Sequence, residues 1–321
     1  VKFTIVGAGA IGSLFACILQ SQHHQVHCWT RSRRAQIQRE FHDRHGQLQT
    51  FTFTNRKTEL IAQSDAVIVC VKAFQTAAAV ADIAPYLDAQ TPLILCHNGI
   101  GTHSAVMQQR PEQPLLFAST SQAALKQGET LYHTGVGPTF IGWLSHASHS
   151  SASHNHAPNN LASPNHASHT DATDEPSVIS TLRDALNDAH FEPDILPKLW
   201  EKLAINCAIN PLTALHNISN GQLAAPLYQE TLKALCDEVS LVATAEGYPM
   251  AAEALLTRVK AVIQATAANH SSMHQDIHHQ RRTEIDYISG YLVQRAYIHH
   301  IEVPANHTLW QAITQREQSY V

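Results

Sequence analysis

Charge is scarce in this chain: Lys, Arg, Asp and Glu together make up 15% of its 321 residues, and aromatic side chains only 7%. With a hydrophobic share of 44%, this composition describes a globular protein and excludes a disordered one. The net charge of −5 supplies no basic field for nucleic acid. None of the six cysteines forms a CxxC pair, and most lie in apolar runs such as Val67-Ile68-Val69-Cys70-Val71. They read as buried, reduced thiols, which points to the cytoplasm. No stretch is long and apolar enough to span a bilayer. The uncharged residues 3–19 are short for a span and broken by glycines, so they read as a nucleotide-binding fingerprint and not as an export signal. No internal repeat is evident.

Histidine, by contrast, is abundant. Protonating all 23 would turn the net charge strongly positive, so solubility and association should respond to mild acid. The chain length suggests two domains. In the first half, strand-like runs at 2–6, 25–30, 66–71 and 92–97 alternate with helical patterns at 76–87 and 102–109. That alternation implies parallel pairing in a doubly wound sheet. Strands at 115–124, 128–133 and 139–143 are expected to complete this domain. Residues 145–176 are dominated by His, Ser, Ala and Asn and read as a low-complexity surface insertion. Its histidines have irregular spacing with no completing Cys or carboxylate cluster, so no metal is expected. An amphipathic helix is expected at 178–189. Beyond 197 the pattern is helical, at 198–210, 227–246, 251–268, 273–299 and 309–318. The expected fold is thus an α/β, Rossmann-type doubly wound sheet over 1–194, binding a dinucleotide, followed by an all-helical substrate and catalytic domain over 195–321.

Three motifs carry chemistry. Gly7-Ala8-Gly9-Ala10-Ile11-Gly12 matches GxGxxG between a strand and a helix. Gly7 permits the tight turn, Gly9 lets a pyrophosphate approach the backbone, and Gly12 allows close helix–strand packing, with the phosphates at the helix N-terminus. At the end of the second strand, Trp29-Thr30-Arg31-Ser32-Arg33-Arg34 holds no acid to accept from a ribose 2′-OH. Arg31 suits a 2′-phosphate, Lys72 can add a second charge, and NADPH is favoured over NADH. Arg33 and Arg34 read as a solvated helix face. Asn98 follows the strand at 92–97, where α/β sheets hold their ligands, and is a candidate contact to nicotinamide or substrate; a turn-forming Asn before Gly99 is the plainer alternative.

Lys202, Asn206 and Asn210 recur every four residues on an otherwise apolar helix, forming one stripe. From the spacing alone it is either the wet face of the helix or the polar wall of a ligand cleft in which Lys202 donates a proton. Residues 269–273 can hold a helix start capped by Ser or Asn. Glu284 and Asp286 follow, and helical position does not decide whether they are exposed charges.

These pieces resemble the ketopantoate reductase (2-dehydropantoate 2-reductase) family. The matching segments are GAGAIG at 7–12, VKAFQ at 71–75, HNGIGT at 97–102 and LWEKLAINCAINPLTAL at 199–215. SNGQL at 219–223, SSMHQDI at 271–277 and TEIDYISGYL at 283–292 complete the set. The resemblance spans nearly the whole chain and fails only near 145–176. It implies reduction of the 2-oxo group of ketopantoate by NADPH, giving pantoate for coenzyme A synthesis. It places Lys202 as the general acid and Glu284 as a catalytic and substrate-binding carboxylate. Asn98, Asn206, Asn210, Asn220, Asn269 and Ser272 would lie around substrate and cofactor, and Arg31 and Lys72 would contact the 2′-phosphate. A reductase of another branched 2-oxo acid and a non-catalytic NADPH-binding sensor are the rival readings. The intact set of Lys202, Asn98, Ser272 and Glu284 speaks against the sensor. Monomer and homodimer are both left open.

Overall fold

A computed structural model describes residues 1–144 and 175–320. The expected His-rich insertion lies almost wholly outside the described residues. The chain divides into two compact units, one of Val1–Cys70, Tyr86–Cys96 and Glu112–Leu196, the other of Val71–Pro85, His97–Pro111 and Pro197–Val321. A single cut after residue 194 does not capture this division. Residues 71–85 and 97–111, which carry Lys72 and Asn98, group with the second unit.

The first unit is built on one sheet. Its strands are β1 (Lys2–Val6), β2 (Gln25–Trp29), β3 (Gln36–His42), β4 (Leu48–Asn55), β5 (Ala66–Val69), β6 (Leu93–Leu95), β7 (Leu115–Thr120), β8 (Ala123–Gln127), β9 (Thr130–Gly135), β10 (Thr139–Trp143) and β11 (Ala189–Glu192). The sheet order is β11-β10-β7-β6-β5-β1-β2-β4-β3-β9-β8. The run β7-β6-β5-β1-β2-β4 is parallel throughout. Counting only these six strands in chain order, the sequence across the sheet is 3-2-1-4-5-6, the arrangement of dinucleotide-binding α/β folds. The central strands are apolar because they are buried on both faces. The helix α1 (Ala10–Ser21) is apolar nearly all round and buries Leu14, Phe15, Cys17 and Leu19 in the same core as Phe3, Ile5, Ile68 and Leu116.

Two parts of the sheet differ from the sequence expectation. The hairpin of β3 and β4 pairs Gln36 with Thr54 through His42 with Leu48, where no strand was expected. Its alternation is real, with Ile37, Arg39 and Phe41 inward, but an arginine at a core-facing position conceals it. The expected strand at 115–124 is two strands, separated where Thr120 Oγ1 accepts from the Gln122 N–H. β7 lies within the parallel run, whereas β8 is at the far edge. The short α2 (Thr58–Ala62) precedes β5, and α5 (Ser177–Leu186) packs its Val178, Ile179 and Leu182 into the core.

The second unit is helical: α3 (Thr76–Ile83), α4 (Thr102–Gln109), α6 (Leu196–His216), α7 (Gln229–Ala245), α8 (Ala252–Ala265), α9 (Ser272–His278), α10 (Ser289–Ile298) and α11 (Pro304–Gln318). α6 runs through Pro211, which cannot donate a backbone hydrogen bond, instead of stopping at 210. There the Thr213 hydroxyl donates back to Ile209 O at 2.8 Å, an added tie across the proline. The single helix expected at 273–299 is broken: Gln280 takes a left-handed φ of 50°, and residues 279–288 leave the helical path. That break turns Glu284 inward, where it is 4% exposed. α11 begins five residues before its expected start. Pro304 occupies its first turn, and the buried Glu238 of α7 accepts from the Ala305 and Asn306 N–H groups at 2.7 and 2.9 Å.

Candidate active site

In the first unit, the loop between β1 and α1 has the form a dinucleotide requires. Gly7 sits at φ 93°, a left-handed conformation that favours glycine. A Cβ on Gly12 would collide with the Gly7 carbonyl and press on Cys70, so this position sets the helix–strand distance. At Gly9 an added Cβ would meet nothing within 4 Å, leaving the backbone open to a ligand. Ala10 and Ile11 open α1, whose first turn contains no acid to repel a phosphate. Beneath the loop, the buried Arg39 donates to Ser13 Oγ at 2.9 Å and to Ala8 O at 3.2 Å. Sequence reasoning missed Arg39; only its place in an alternating strand could have indicated it.

Past β2, residues 31–35 form no helix, so the solvated helix face expected for Arg33 and Arg34 is instead an exposed loop. Arg34 pairs with Glu129 at 3.1 Å across the surface. Arg31 is exposed, and no described side chain pairs with it. It is open to an anion.

In the second unit, one buried carboxylate binds two segments distant in sequence. Glu284 Oε1 accepts from the Ala73 N–H at 3.0 Å and the Asn98 N–H at 3.3 Å, while Oε2 accepts from Asn98 Nδ2 at 3.0 Å. The Lys72 ammonium lies 3.6 Å from Glu284 and 2.5 Å from Asp276. Burial opposes the Lys72 charge, but Glu284 and Asp276 outweigh it and hold the ammonium above its ordinary pKa. For Asp276, burial prevails over Lys72 and Arg281 and raises the carboxyl above the usual range. The structure therefore presents Lys72 to two carboxylates, whereas the sequence reading directed it to a 2′-phosphate. Asp276 was missed although SSMHQDI contains it, because its partner is 204 residues away.

The loop bearing Asn98 is braced further. Ile100 N–H donates to Tyr287 O at 2.9 Å, and at Gly99 (φ 81°) a Cβ would collide with that carbonyl. His97 pairs with Asn98 O through Nδ1 at 3.0 Å and with the Thr102 hydroxyl through Nε2 at 2.7 Å. Burial lowers its pKa; Glu284 opposes the shift and the positive Lys202 adds to it. His97 was not singled out from sequence either.

Along α6, Lys202 and Asn206 are half-buried and Asn210 is 7% exposed. The Asn206 Nδ2 is buried with no hydrogen-bond partner among the described residues. The remaining expected positions are scattered. Asn220 is buried, donates to Thr266 Oγ1 at 2.9 Å and takes the Asn269 carbonyl on its backbone N–H. Asn269 and Ser272 are exposed, and the cap of α9 is Ser271, which accepts from the His274 N–H at 3.0 Å. Asn98, Lys72 and Glu284 are thus in direct contact, while Asn269 and Ser272 are not drawn into that network.

A 3-2-1-4-5-6 sheet with an open glycine loop in one unit, and a lysine–amide stripe in the other, belong to a dinucleotide-binding oxidoreductase. The family model described as Ketopantoate reductase PanE/ApbA matches residues 3–146, and its C-terminal counterpart matches 194–317. The 2-dehydropantoate 2-reductase of Vibrio cholerae is 37% identical over 320 residues, covering 99% of each chain. Among solved structures, a PanE/ApbA family ketopantoate reductase from Ralstonia eutropha JMP134 superposes with a TM-score of 0.82 at 21% identity, covering 100% of this chain and 99% of the other. A D-mandelate dehydrogenase complex with NADH and anilino(oxo)acetate gives 0.82 at 20% identity with the same coverage, a likeness of fold alone. The chain belongs to the ketopantoate reductase family.

Proposed function

We propose that this chain reduces 2-dehydropantoate to (R)-pantoate with NADPH, in the pantothenate and coenzyme A route, as a cytoplasmic enzyme. The observation that carries the reading is the convergence of VKAFQ, HNGIGT and TEIDY on the buried Glu284 carboxylate, in a chain related end to end to named 2-dehydropantoate 2-reductases. The free thiols at all six cysteines agree with a reducing compartment. Among the described residues, no helix is long and apolar enough to cross a membrane.

The residues Gly7 to Gly12 fit the dinucleotide through the open backbone at Gly9, and Arg31 offers an unpaired guanidinium to the 2′-phosphate. When bound, the reduced nicotinamide supplies the hydride for the substrate C2 carbonyl. Lys202 gives a proton to the oxygen of that carbonyl as it becomes an alkoxide, and its charge stabilises the oxyanion beforehand. Asn206 and Asn210 orient the substrate along the same helix face, with the orphaned Asn206 Nδ2 ready to donate. Asn220, Asn269 and Ser272 are secondary substrate contacts on this reading. Both oxygens of Glu284 are engaged by Asn98, Ala73 and Lys72, so we assign Glu284 to positioning Asn98 and not to direct substrate contact. Lys72 reaches a 2′-phosphate only by leaving its two carboxylates, and selection of NADPH therefore rests on Arg31.

The test is loss of reduced-nicotinamide absorbance when a panel of 2-oxo acids meets the purified protein with NADPH or NADH. Fastest turnover on 2-dehydropantoate with NADPH is expected. Preference for another branched 2-oxo acid would replace the substrate, and tight NADPH binding without oxidation would favour a sensor. Light scattering of the same sample discriminates monomer from homodimer.

A further inference from the structure

At the end of β4, Asn55 is 2% exposed, yet it makes every hydrogen bond its amide allows. Its Oδ1 accepts from the Thr30 N–H and the Thr30 hydroxyl, each at 3.2 Å. Its Nδ2 donates to Ser32 O at 3.0 Å and Arg34 O at 2.7 Å. Its own N–H donates to Ala35 O at 2.8 Å. One side chain thereby fixes residues on both sides of Arg31, the exposed residue that would meet a 2′-phosphate.

The next residue completes the arrangement. Arg56 donates from Nη1 to Thr30 O at 2.8 Å, and its guanidinium lies 4.3 Å from the centroid of the Trp29 ring. Its φ of 56° is left-handed for a residue with a side chain, a conformation held by the Arg56 N–H to Cys28 O bond at 3.0 Å. Thr30 thus has its N–H, hydroxyl and carbonyl all tied, immediately before Arg31. No acid lies among residues 30–35.

We infer that Asn55 and Arg56 are specificity-determining residues for the 2′-phosphorylated cofactor: Asn55 fixes the loop that presents Arg31, and Arg56 locks its entry and adds a second guanidinium at the same strand ends. The inference rests on the proposed use of NADPH. A loop fixed before the ligand arrives loses less freedom on binding, so the benefit belongs to the ligand that uses Arg31. The 5′-phosphates, held at the glycine loop, gain nothing from it. Asn55 is a positioning residue and acts through Arg31.

The experiment compares kcat/KM for NADPH and NADH, and calorimetric binding of adenosine 2′,5′-bisphosphate and 5′-AMP, across four variants of the full chain. Arg31→Ala tests the underlying reading: equal losses with both cofactors would overturn 2′-phosphate recognition at Arg31 itself. Given a selective Arg31→Ala effect, Asn55→Ala and Arg56→Gln should each lower kcat/KM for NADPH about tenfold or more, with NADH changed by about twofold or less. Asn55→Asp preserves size and the two accepting bonds but cannot donate to Ser32 O and Arg34 O, so it should show the same selective loss even if the alanine variant fails to fold. Equal losses for the two cofactors in Asn55→Asp and Arg56→Gln, or no loss in either, would overturn the inference.

Discussion

Replacing Glu284 with glutamine keeps the shape of the side chain and removes its charge, which isolates what the carboxylate does. One oxygen can still accept from the Ala73 and Asn98 N–H groups, now without charge assistance, a loss of about 1 kcal/mol for each bond. The other oxygen becomes an NH2 group facing Asn98 Nδ2, donor against donor, and Lys72 keeps only Asp276. Lys72 is about one-third exposed, so its share is screened and small. The sum is a destabilisation of about 3 kcal/mol, measured by urea unfolding at neutral pH. If the Asn98 amide turns over, its oxygen faces the new NH2 group and the loss drops to about 2 kcal/mol. We expect kcat/KM to fall about 10²-fold, equal to about 2.7 kcal/mol of transition-state stabilisation. Adding Asn98→Asp to Glu284→Gln restores a donor–acceptor pair and should recover stability without activity. A Glu284→Gln protein within about 0.5 kcal/mol of the parent, with kcat/KM intact, would refute the positioning role.

Lys202→Ala should lower kcat by about 10²- to 10⁴-fold while calorimetric affinity for NADPH is little changed, and near-parental turnover would remove Lys202 from proton transfer. His27 supplies a pH dependence of stability. It is 4% exposed, pairs with Thr4 Oγ1 at 3.1 Å through Nδ1, and accepts the Lys57 N–H at 3.0 Å on Nε2, so the fold holds it neutral. Burial lowers its pKa from 6.5 to about 4, with Glu59 opposing. The unfolded chain therefore binds the extra proton between those values, so stability is lost as pH drops from 6.5 to about 4, by up to about 3 kcal/mol. In His27→Gln this part of the loss should vanish; unfolding curves that keep the parental pH dependence would show that another group sets it.

The parallel core of the sheet was legible because strands buried on both faces must be apolar throughout, and the runs around Ile5, Ile68 and Ile94 are. The glycine fingerprint was legible because its chemistry is local. Arg39 hid the β3–β4 hairpin by placing a charge where alternation calls for an apolar residue, and its partner, the glycine-loop carbonyl of Ala8, is visible only in three dimensions. Asn55 and Asp276 went unseen for the same reason: a polar residue's role depends on what it meets. The break at 279–288 turns Glu284 inward toward Asn98, and helical periodicity alone carries no trace of that partner. Lys72 is the instructive reversal, since its place after a strand suggested a phosphate while the fold supplies two carboxylates.

The unpaired Asn206 amide has a consequence for ligand-linked stability. A buried donor without an acceptor costs about 1–3 kcal/mol, and Asn206 Nδ2 on α6 meets no acceptor among the described residues. A ligand oxygen reaching this amide would not first have to displace a protein partner. Part of the binding free energy would therefore be relief of a defect already present, and it would register as a rise in melting temperature larger than the affinity of the same ligand for Asn206→Leu would give. An amide that the fold leaves without a partner would in that sense report occupancy as stability.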